Sequence, residues 1–301
     1  TVLSVSVKPA LQRLSSIRSV RGLGYLSDQV LGRLTTSSNT EVSPEIGEHG
    51  CEMEWISIED VEHSSTQPVL LYLPGGAYIM RTPHIHRGLV SRMCSEIGGR
   101  ALLCFYRLAP EHPFPAGLED AVEAYQLMLD KGINPQQIVI AGDSAGGGLT
   151  LSLMLRLKEL ELPLPAGAVL MSPLLDMTEQ APSRNKNARN DTALPPPSSR
   201  GMNPREMYIG DVDRKDPLVS PIYGDFHGLP PCYLLVSDTE MLLDDSLRLA
   251  RRAHQYRMSV KLDIWHRLPH VWISVPFLPE SHSAHKRIGQ FIRTLLDGNE
   301  N

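Results

Sequence analysis

The stretch that decides the fold is Gln137-Ile138-Val139-Ile140-Ala141-Gly142-Asp143-Ser144-Ala145-Gly146-Gly147. Its first half is a short β-branched run, typical of a strand that is covered on both faces. After Ala145, leucines recur at three- and four-residue spacing from Leu149 to Leu160, which predicts a helix. Ser144 lies between the two with a glycine two residues away on each side. The stretch therefore matches the G-x-S-x-G turn that exposes a serine hydroxyl at the top of a sheet.

The same glycines are also compatible with a plain connecting turn, or with a loop that holds a phosphate at a helix N-terminus. A phosphate loop of the G-x-x-x-x-G-K-[ST] type needs a lysine after its glycines, and none follows here. We therefore predict that Ser144 is a nucleophile.

A serine nucleophile requires a base and an acid that orients the base, in the chain order Ser, Asp or Glu, His for this type of turn. Downstream of Ser144, the strand-like residues 232–236 are followed by Asp238 and Glu240. A second strand-like run is followed by His270. The required order is satisfied, and either carboxylate could orient the histidine.

The other part that acyl transfer needs is a set of backbone N–H groups aimed at the developing oxyanion. The apolar run 69–73 is followed by Pro74-Gly75-Gly76-Ala77-Tyr78, a glycine pair where this fold puts that loop. We predict Gly75, Gly76 and Ala145 as the donors. Asp143, next to the nucleophile, is expected to support the loop.

These motifs make the chain similar to the hormone-sensitive-lipase-like branch of the α/β-hydrolase carboxylesterases, from about Val69 to the C-terminus. The resemblance implies Ser144 as nucleophile and His270 as general base. It favours Glu240 as the acid and leaves Asp238 as a competitor, with His266 as a fallback base. The stretches that carry the resemblance are Pro74-Gly75-Gly76-Ala77, residues 106–116, Gly142-Asp143-Ser144-Ala145-Gly146-Gly147, Asp216-Pro217-Leu218-Val219-Ser220-Pro221, Leu229-Pro230-Pro231 and the acid and histidine loops.

Two positions of the glycine loop depart from the family's His-Gly-Gly-Gly. Pro74 stands where the family has a histidine that helps to hold the loop, and Ala77 replaces the third glycine. Because proline fixes its own φ and restricts the preceding residue, we expect stiffness to hold the loop in place of a side-chain hydrogen bond.

The rest of the chain alternates strand-like and helical patterns, which predicts an α/β fold with a mostly parallel, twisted sheet flanked by helices. Strands are predicted near residues 52–58, 69–73, 101–105, 138–140, 168–171, 232–236 and 260–265, and helices near 86–97, 117–129, 149–160, 242–256 and 283–296. Residues 49–176 and 216–301 would form the catalytic core. By resemblance, residues 1–48 and the insertion 177–215 would form a small helical cap; the alternative is a surface excursion without a role in specificity.

Composition agrees with this interpretation. Hydrophobic residues make up 42% and charged residues 21% of the 301 residues, and a net charge of −5 gives no footprint for nucleic acid. No apolar run is long enough to span a bilayer, so no membrane partner is expected. The 4 cysteines share no C-x-x-C spacing, which favours free thiols in a reducing compartment, the cytoplasm. His84 and His86 lack the acidic or cysteine neighbours of a zinc site, and we expect neither a metal nor a cofactor.

The function expected from the resemblance is hydrolysis of small-molecule esters with short to medium acyl chains. Two alternatives stay open: amide or thioester cleavage by the same residues, and a non-catalytic receptor on the same fold. Plant gibberellin receptors resemble this family but lack the catalytic histidine, whereas His270 is present here. The last predicted strand would lie at a sheet edge, where many relatives form homodimers.

Overall fold

A computed structural model describes residues 16–32, 39–59, 67–194 and 203–298. Within them, eight strands form one sheet in the order β1-β2-β4-β3-β5-β6-β7-β8. All neighbours from β4 through β3 to β8 pair in parallel, and only β1 and β2 add antiparallel pairs, so the prediction of a mostly parallel sheet is confirmed. The strands are β1 (Thr40–Ile46), β2 (Glu52–Ile58), β3 (Val69–Leu73), β4 (Arg100–Phe105), β5 (Ile138–Asp143), β6 (Gly167–Met171), β7 (Cys232–Ser237) and β8 (Val260–Trp265).

Helices cover both faces of the sheet. The cluster of buried side chains on one face includes residues of α2 and α8, and the cluster on the other face includes residues of α3, α4 and α7. The helices are α1 (Ile17–Leu31), α2 (Pro83–Ile97), α3 (Ala116–Asp130), α4 (Ser144–Glu159), α5 (Ser183–Lys186), α6 (Pro204–Ile209), α7 (Leu243–Gln255) and α8 (Pro279–Asp297). Short 3-10 turns lie at Pro135–Gln137, Pro221–Tyr223 and Trp272–Ser274.

The central strands are buried along their whole length. Every residue of β3, β5, β6 and β7 is buried, which explains why these strands are continuous apolar runs. Because these strands are parallel, their carboxyl ends meet at one edge of the sheet, where ligands bind in open α/β folds. That edge carries the loops after β3, β5, β7 and β8.

One strand was not predicted. β1 pairs along its full length with β2 and lies within residues 1–48, which we assigned to the cap. Its sequence, Thr-Glu-Val-Ser-Pro-Glu-Ile, is mostly exposed and contains a proline, so it lacks the buried apolar pattern of the other strands. The last residues of the predicted cap segment therefore belong to the core sheet.

Helix α1 is the other described part of that segment. Ser16 caps its N-terminus by accepting from Ser19 N at 3.2 Å. Buried Asp28 in turn accepts from the backbone N–H groups of His84 (3.2 Å) and Ile85 (2.9 Å) in the first turn of α2. Residues 1–15, 33–38 and 195–202 of the two predicted cap segments lie outside the described residues.

The cysteines and the helices bear on two further predictions. Cys51, Cys94, Cys104 and Cys232 are all buried and free. Across the described ranges, none of the helices combines the length and the apolar character needed to cross a membrane.

Candidate active site

Ser144 lies at the junction of β5 and α4, in the strand–turn–helix context that the sequence predicts. Its φ of 53° is in the left-handed region, as a sharp turn between strand and helix requires. A Cβ at Gly146 would lie 1.9 Å from the Leu73 carbonyl oxygen, and one at Gly142 would lie 2.4 Å from the Gly146 oxygen. Only glycine at these two positions allows β3, β5 and α4 to approach this closely.

The loops after β7 and β8 bring a carboxylate and an imidazole to the serine. Ser144 Oγ lies 2.8 Å from His270 Nε2, and His270 Nδ1 lies 2.6 Å from Glu240 Oε2. Glu240 is fully buried, and its other oxygen accepts from Ser237 N at 2.7 Å and from Ser172 Oγ at 2.9 Å. The three side chains thus form one hydrogen-bonded line from hydroxyl to carboxylate.

Asp238, the other candidate for the acid, does not point towards His270. Asp238 Oδ2 lies 2.7 Å from His266 Nδ1, and Asp238 Oδ1 accepts from Arg267 N at 2.8 Å. Both side chains of this second pair are at the surface. The structure therefore places Glu240, and not Asp238, against His270, and places His266 away from the serine.

The electrostatics of His270 suit a proton acceptor. Burial disfavours the charged imidazolium, but the hydrogen bond and the charge of Glu240 outweigh it, so the pKa of His270 is raised above its usual value. A more basic imidazole takes the serine proton more readily, provided that it is neutral when the substrate arrives.

The three predicted oxyanion donors differ in their surroundings, and one of them already has a hydrogen-bond acceptor. Gly75 N–H donates to Asp143 Oδ1 at 2.9 Å, so this group is already hydrogen bonded. Gly76 has φ 135° and lines the cavity in front of Ser144, as does Ala77 beside it. Ala145 lies in the first turn of α4, where backbone N–H groups have no intrahelical acceptor. Gly75 N–H is thus engaged in holding the loop, and Gly76 and Ala145 stay the predicted donors for a substrate oxygen.

Side chains from other strands hold the glycine loop, contrary to the expectation that the stiffness of Pro74 would do so. Tyr106 OH donates to the Pro74 carbonyl at 2.8 Å, and Asp143 holds the next N–H. Asp143 also contacts Tyr72 OH (2.8 Å) and His86 Nε2 (3.2 Å). Asp143 thus supports the loop as expected, while its contacts with His86 and Tyr72 were not predicted.

The insertion supports the acid loop. Asn187 Nδ2 donates to the carbonyl oxygens of Asp238 (2.9 Å) and Glu240 (2.8 Å). Buried Asp191 accepts from Met241 N at 3.0 Å. Nothing in the sequence predicted these contacts, although Ser172 could have been found because it directly follows β6 at the carboxyl edge of the sheet.

A cavity of about 200 Å³ lies in front of Ser144. It is lined by the glycine loop, by Ser144 and His270, and by a mostly apolar wall that includes Met80, Ile85, Leu194 and Val271. Binding sites for drug-sized ligands usually measure about 300–1,000 Å³, so this cavity is smaller than most of them.

Sequence comparisons connect this geometry to known proteins. A family model described as alpha/beta hydrolase fold matches residues 70–274. An acetyl-hydrolase of Streptomyces hygroscopicus is 37% identical over 81% of this chain and 80% of its own length. An esterase of Acinetobacter venetianus is 34% identical over 77% of this chain and 76% of its own length.

Solved structures agree with the sequence relatives. An esterase from the bacterial hormone-sensitive lipase family superposes with a TM-score of 0.86 at 36% identity, covering 94% of this chain and 93% of its own. The esterase EstE5, soaked with p-nitrophenyl butyrate, superposes with a TM-score of 0.83 at 35% identity, covering 90% of this chain and 91% of its own.

Proposed function

This chain belongs to the α/β-hydrolase family, in its hormone-sensitive-lipase-like branch, and is a carboxylic ester hydrolase; from that premise we propose that it cleaves short- to medium-chain acyl esters through an acyl-enzyme on Ser144. The observation that supports the proposal is the hydrogen-bonded line from Ser144 through His270 to Glu240.

In the first step, Ser144 Oγ attacks the ester carbonyl carbon while His270 Nε2 accepts the hydroxyl proton. Glu240 holds Nδ1–H and stabilises the imidazolium that forms. The carbonyl oxygen becomes an oxyanion, and the N–H groups of Gly76 and Ala145 donate to it.

In the second half of the reaction, the tetrahedral intermediate collapses and His270 returns its proton to the departing alcohol. The acyl group is now an ester of Ser144. Water then attacks this ester while His270 accepts a proton from it, and collapse of the second intermediate releases the acid and restores the Ser144 hydroxyl.

The size of the cavity supports short acyl chains. Its volume of about 200 Å³ and its apolar wall accommodate an acyl group of a few carbons. The name acetyl-hydrolase of the Streptomyces relative and the p-nitrophenyl butyrate soaked into EstE5 point in the same direction.

The test is hydrolysis of p-nitrophenyl esters from acetate to palmitate by the wild type and three variants. We expect turnover confined to the shorter chains. Ser144→Ala should lower kcat by about 10⁴-fold or more, and Glu240→Gln by about 1,000-fold, since both remove members of one catalytic unit. Asp238→Asn is the matched control and should stay within about threefold, because it changes only a surface pair.

Two results would contradict the proposal. Substantial turnover by Ser144→Ala would mean that another group attacks the ester. Loss of activity in Asp238→Asn with retention in Glu240→Gln would reverse the assignment of the acid.

The cap remains part of the proposal. We propose that residues 1–48, apart from β1, and residues 177–215 border the substrate cavity. Leu194 of the insertion lines it, and a Cβ at Gly24 of α1 would lie 3.2 Å from the sulfur of Met80, another wall residue. Unchanged chain-length preference after Met80→Ala and Leu194→Ala substitutions would contradict this role.

We also propose a homodimer and a cytoplasmic location. β8 is an edge strand, and its Ile264 side chain is 51% exposed, whereas Pro44 interrupts the donors of the opposite edge. Four free cysteines suit a reducing compartment. Light scattering that gives the mass of a single chain at micromolar concentration would exclude the dimer.

A further inference from the structure

Three buried side chains meet directly beneath the glycine loop: His86 of α2, Asp143 of β5 and Tyr72 of β3, here called the Asp143 cluster. His86 is 5% exposed, Asp143 is 4% exposed and Tyr72 is fully buried. Asp143 Oδ1 lies 2.8 Å from Tyr72 OH, 2.9 Å from Gly75 N and 3.2 Å from His86 Nε2. The cluster thus connects α2 to the loop through one carboxylate oxygen.

The hydrogen-bond partners of His86 determine its protonation state. Nδ1 lies 2.9 Å from the Thr82 carbonyl oxygen, which can only accept, and 3.1 Å from the Thr82 hydroxyl oxygen, which can also accept, so a hydrogen on Nδ1 satisfies both contacts. Nε2 faces an oxygen that already accepts from the Gly75 N–H, a group that can only donate. A carboxylate with this many donors is ionised, and Nε2 must then donate as well. An imidazole with two donating nitrogens is the imidazolium cation.

The pKa shifts of His86 and Asp143 both favour the charged forms of the two side chains. Burial by itself lowers the pKa of His86, but the charge and hydrogen bond of Asp143 outweigh it, and the pKa of His86 is raised. Burial by itself raises the pKa of Asp143, but the charge of His86 and three hydrogen bonds hold it below its usual range.

The position of the pair gives it a consequence for catalysis. Asp143 directly precedes Ser144, and its carboxylate accepts a hydrogen bond from the N–H of Gly75, the residue before Gly76. A lone buried negative charge here would repel the oxyanion that forms between Gly76 and Ala145, and low-dielectric surroundings strengthen that repulsion. A cation 3.2 Å from the carboxylate cancels it.

We propose that His86 is a positioning residue that keeps its proton throughout the catalytic cycle, fixing Asp143 on the Gly75 N–H and cancelling the charge of Asp143 beside the oxyanion. The inference rests on the proposed acyl-enzyme mechanism and assigns His86 no direct contact with substrate. It also explains how a loop that begins with proline is held, since His86 acts from α2 through Asp143.

The groups that surround His86 favour its charged form on balance. The charges of two carboxylates, Asp143 and Asp28, raise its pKa. Asp28 belongs to α1 and caps the N-terminus of α2. The charged and titratable groups on the surrounding elements are Asp143, Asp28, Tyr72, His270 across the cavity, and Arg92, whose charge acts on Tyr72. When His86 loses its proton at alkaline pH, the loop gains an uncancelled negative charge, and kcat should fall.

The first experiment is nitrogen NMR of the wild-type protein labelled in its histidines, recorded from pH 6 to pH 9. The His86 signal is assigned by its loss in His86→Gln, or by magnetisation transfer between its ring and the Tyr72 ring, whose centroids are 6.1 Å apart. We expect both ring nitrogens of His86 to be protonated at pH 7. A neutral His86 at pH 7 would overturn the proposal even if no variant folds.

The second experiment compares His86→Gln, Asp143→Asn and the double variant on p-nitrophenyl acetate. His86→Gln should lower kcat by about 10- to 100-fold with KM nearly unchanged, a loss smaller than or similar to that of an oxyanion donor. The double variant should recover about tenfold relative to His86→Gln, because the uncancelled charge is gone. A merely structural role predicts the opposite, that the double variant is worse than either single variant.

His84→Gln is the matched control, since His84 lies two residues away on α2 and contacts Arg87 instead of Asp143. It should keep wild-type kcat. A wild-type kcat in His86→Gln, or a double variant no better than His86→Gln, would refute the inference while leaving the esterase mechanism intact. Failure of the wild type to turn over any ester would instead refute the mechanism, and the NMR result would stand alone.

Discussion

His270 can accept the serine proton only while it is neutral, so its raised pKa sets the acid side of the pH profile. We expect kcat/KM for p-nitrophenyl acetate to fall about tenfold per pH unit below that pKa and to level off above it, until His86 loses its proton at alkaline pH. The midpoint should lie above that of an ordinary histidine, because the Glu240 charge stabilises the imidazolium. Initial rates from pH 5 to pH 9 test this.

Glu240→Gln supplies the control for that profile. Removing the carboxylate leaves burial as the main influence on His270, so its pKa should drop and the acid limb should move to lower pH, on a much lower plateau. If the acid side of the pH profile did not move, a charge other than that of Glu240 would be setting the pKa of His270.

The residues of the site differ in how far the sequence could identify them. Ser144 and His270 lie in short motifs whose spacing along the chain carries the information. Chain order alone could not separate Glu240 from Asp238, and only the family resemblance favoured Glu240, since the two share a loop and a chemistry and differ in where their side chains point. The partnership of His86 with Asp143 joins residues 57 positions apart, and no local pattern reports such a contact.

At the scale of elements, the crossing of β3 and α4 depends on the absence of a side chain at Gly146. Gly146→Ala would place a Cβ 1.9 Å from the Leu73 carbonyl oxygen, a clash with backbone that cannot rotate away. We expect destabilisation of about 3 kcal/mol or more. Urea unfolding followed by circular dichroism measures it.

Gly22→Ala in α1 is the comparison variant. In the part of the chain that the structure describes, nothing lies within 4 Å of the Cβ it would add. Alanine in a helix should therefore raise the free energy of unfolding by about 0.5–1 kcal/mol. Equal effects at the two glycines would contradict the close approach of β3 and α4.

Strands and helices could be predicted where the burial of their side chains produces a regular apolar pattern in the sequence. The seven predicted strands are all present. Most of them are buried apolar runs, whereas β8 is only partly buried and was recognisable by its alternating pattern. β1 was missed because an edge strand that faces solvent has no such run. Helix α4 begins five residues before Leu149, where it was predicted to start, since its first turn is serine, alanine and glycine packed against the sheet.

At the scale of the whole molecule, the insertion is coupled to the core through Asn187. Its amide donates to two carbonyl oxygens of the loop that carries Glu240. Asn187→Ala would remove the side-chain donor to both oxygens, leaving the Glu240 oxygen with only the Leu243 N–H at 3.2 Å. This should loosen Glu240, and we expect kcat to fall about tenfold with little change in KM. Steady-state kinetics on p-nitrophenyl acetate give both parameters.

Asn185→Ala controls for that experiment, because Asn185 lies in α5, two residues before Asn187, and its side chain is exposed. It should match the wild type in both kcat and melting temperature. An Asn187→Ala protein with wild-type kcat would mean that the acid loop holds its shape without the insertion.

The Asp28 cap ties the N-terminal helix to the helix that carries His86. Progressive shortening of the chain from its first residue would thus change two properties at once, the wall of the cavity and the anchoring of His86. If shortened proteins were compared by turnover alone, a lower kcat caused by a displaced His86 could not be told from a changed substrate preference. Asp28→Asn in the full-length chain separates the two, because it perturbs the anchor and leaves α1 in place.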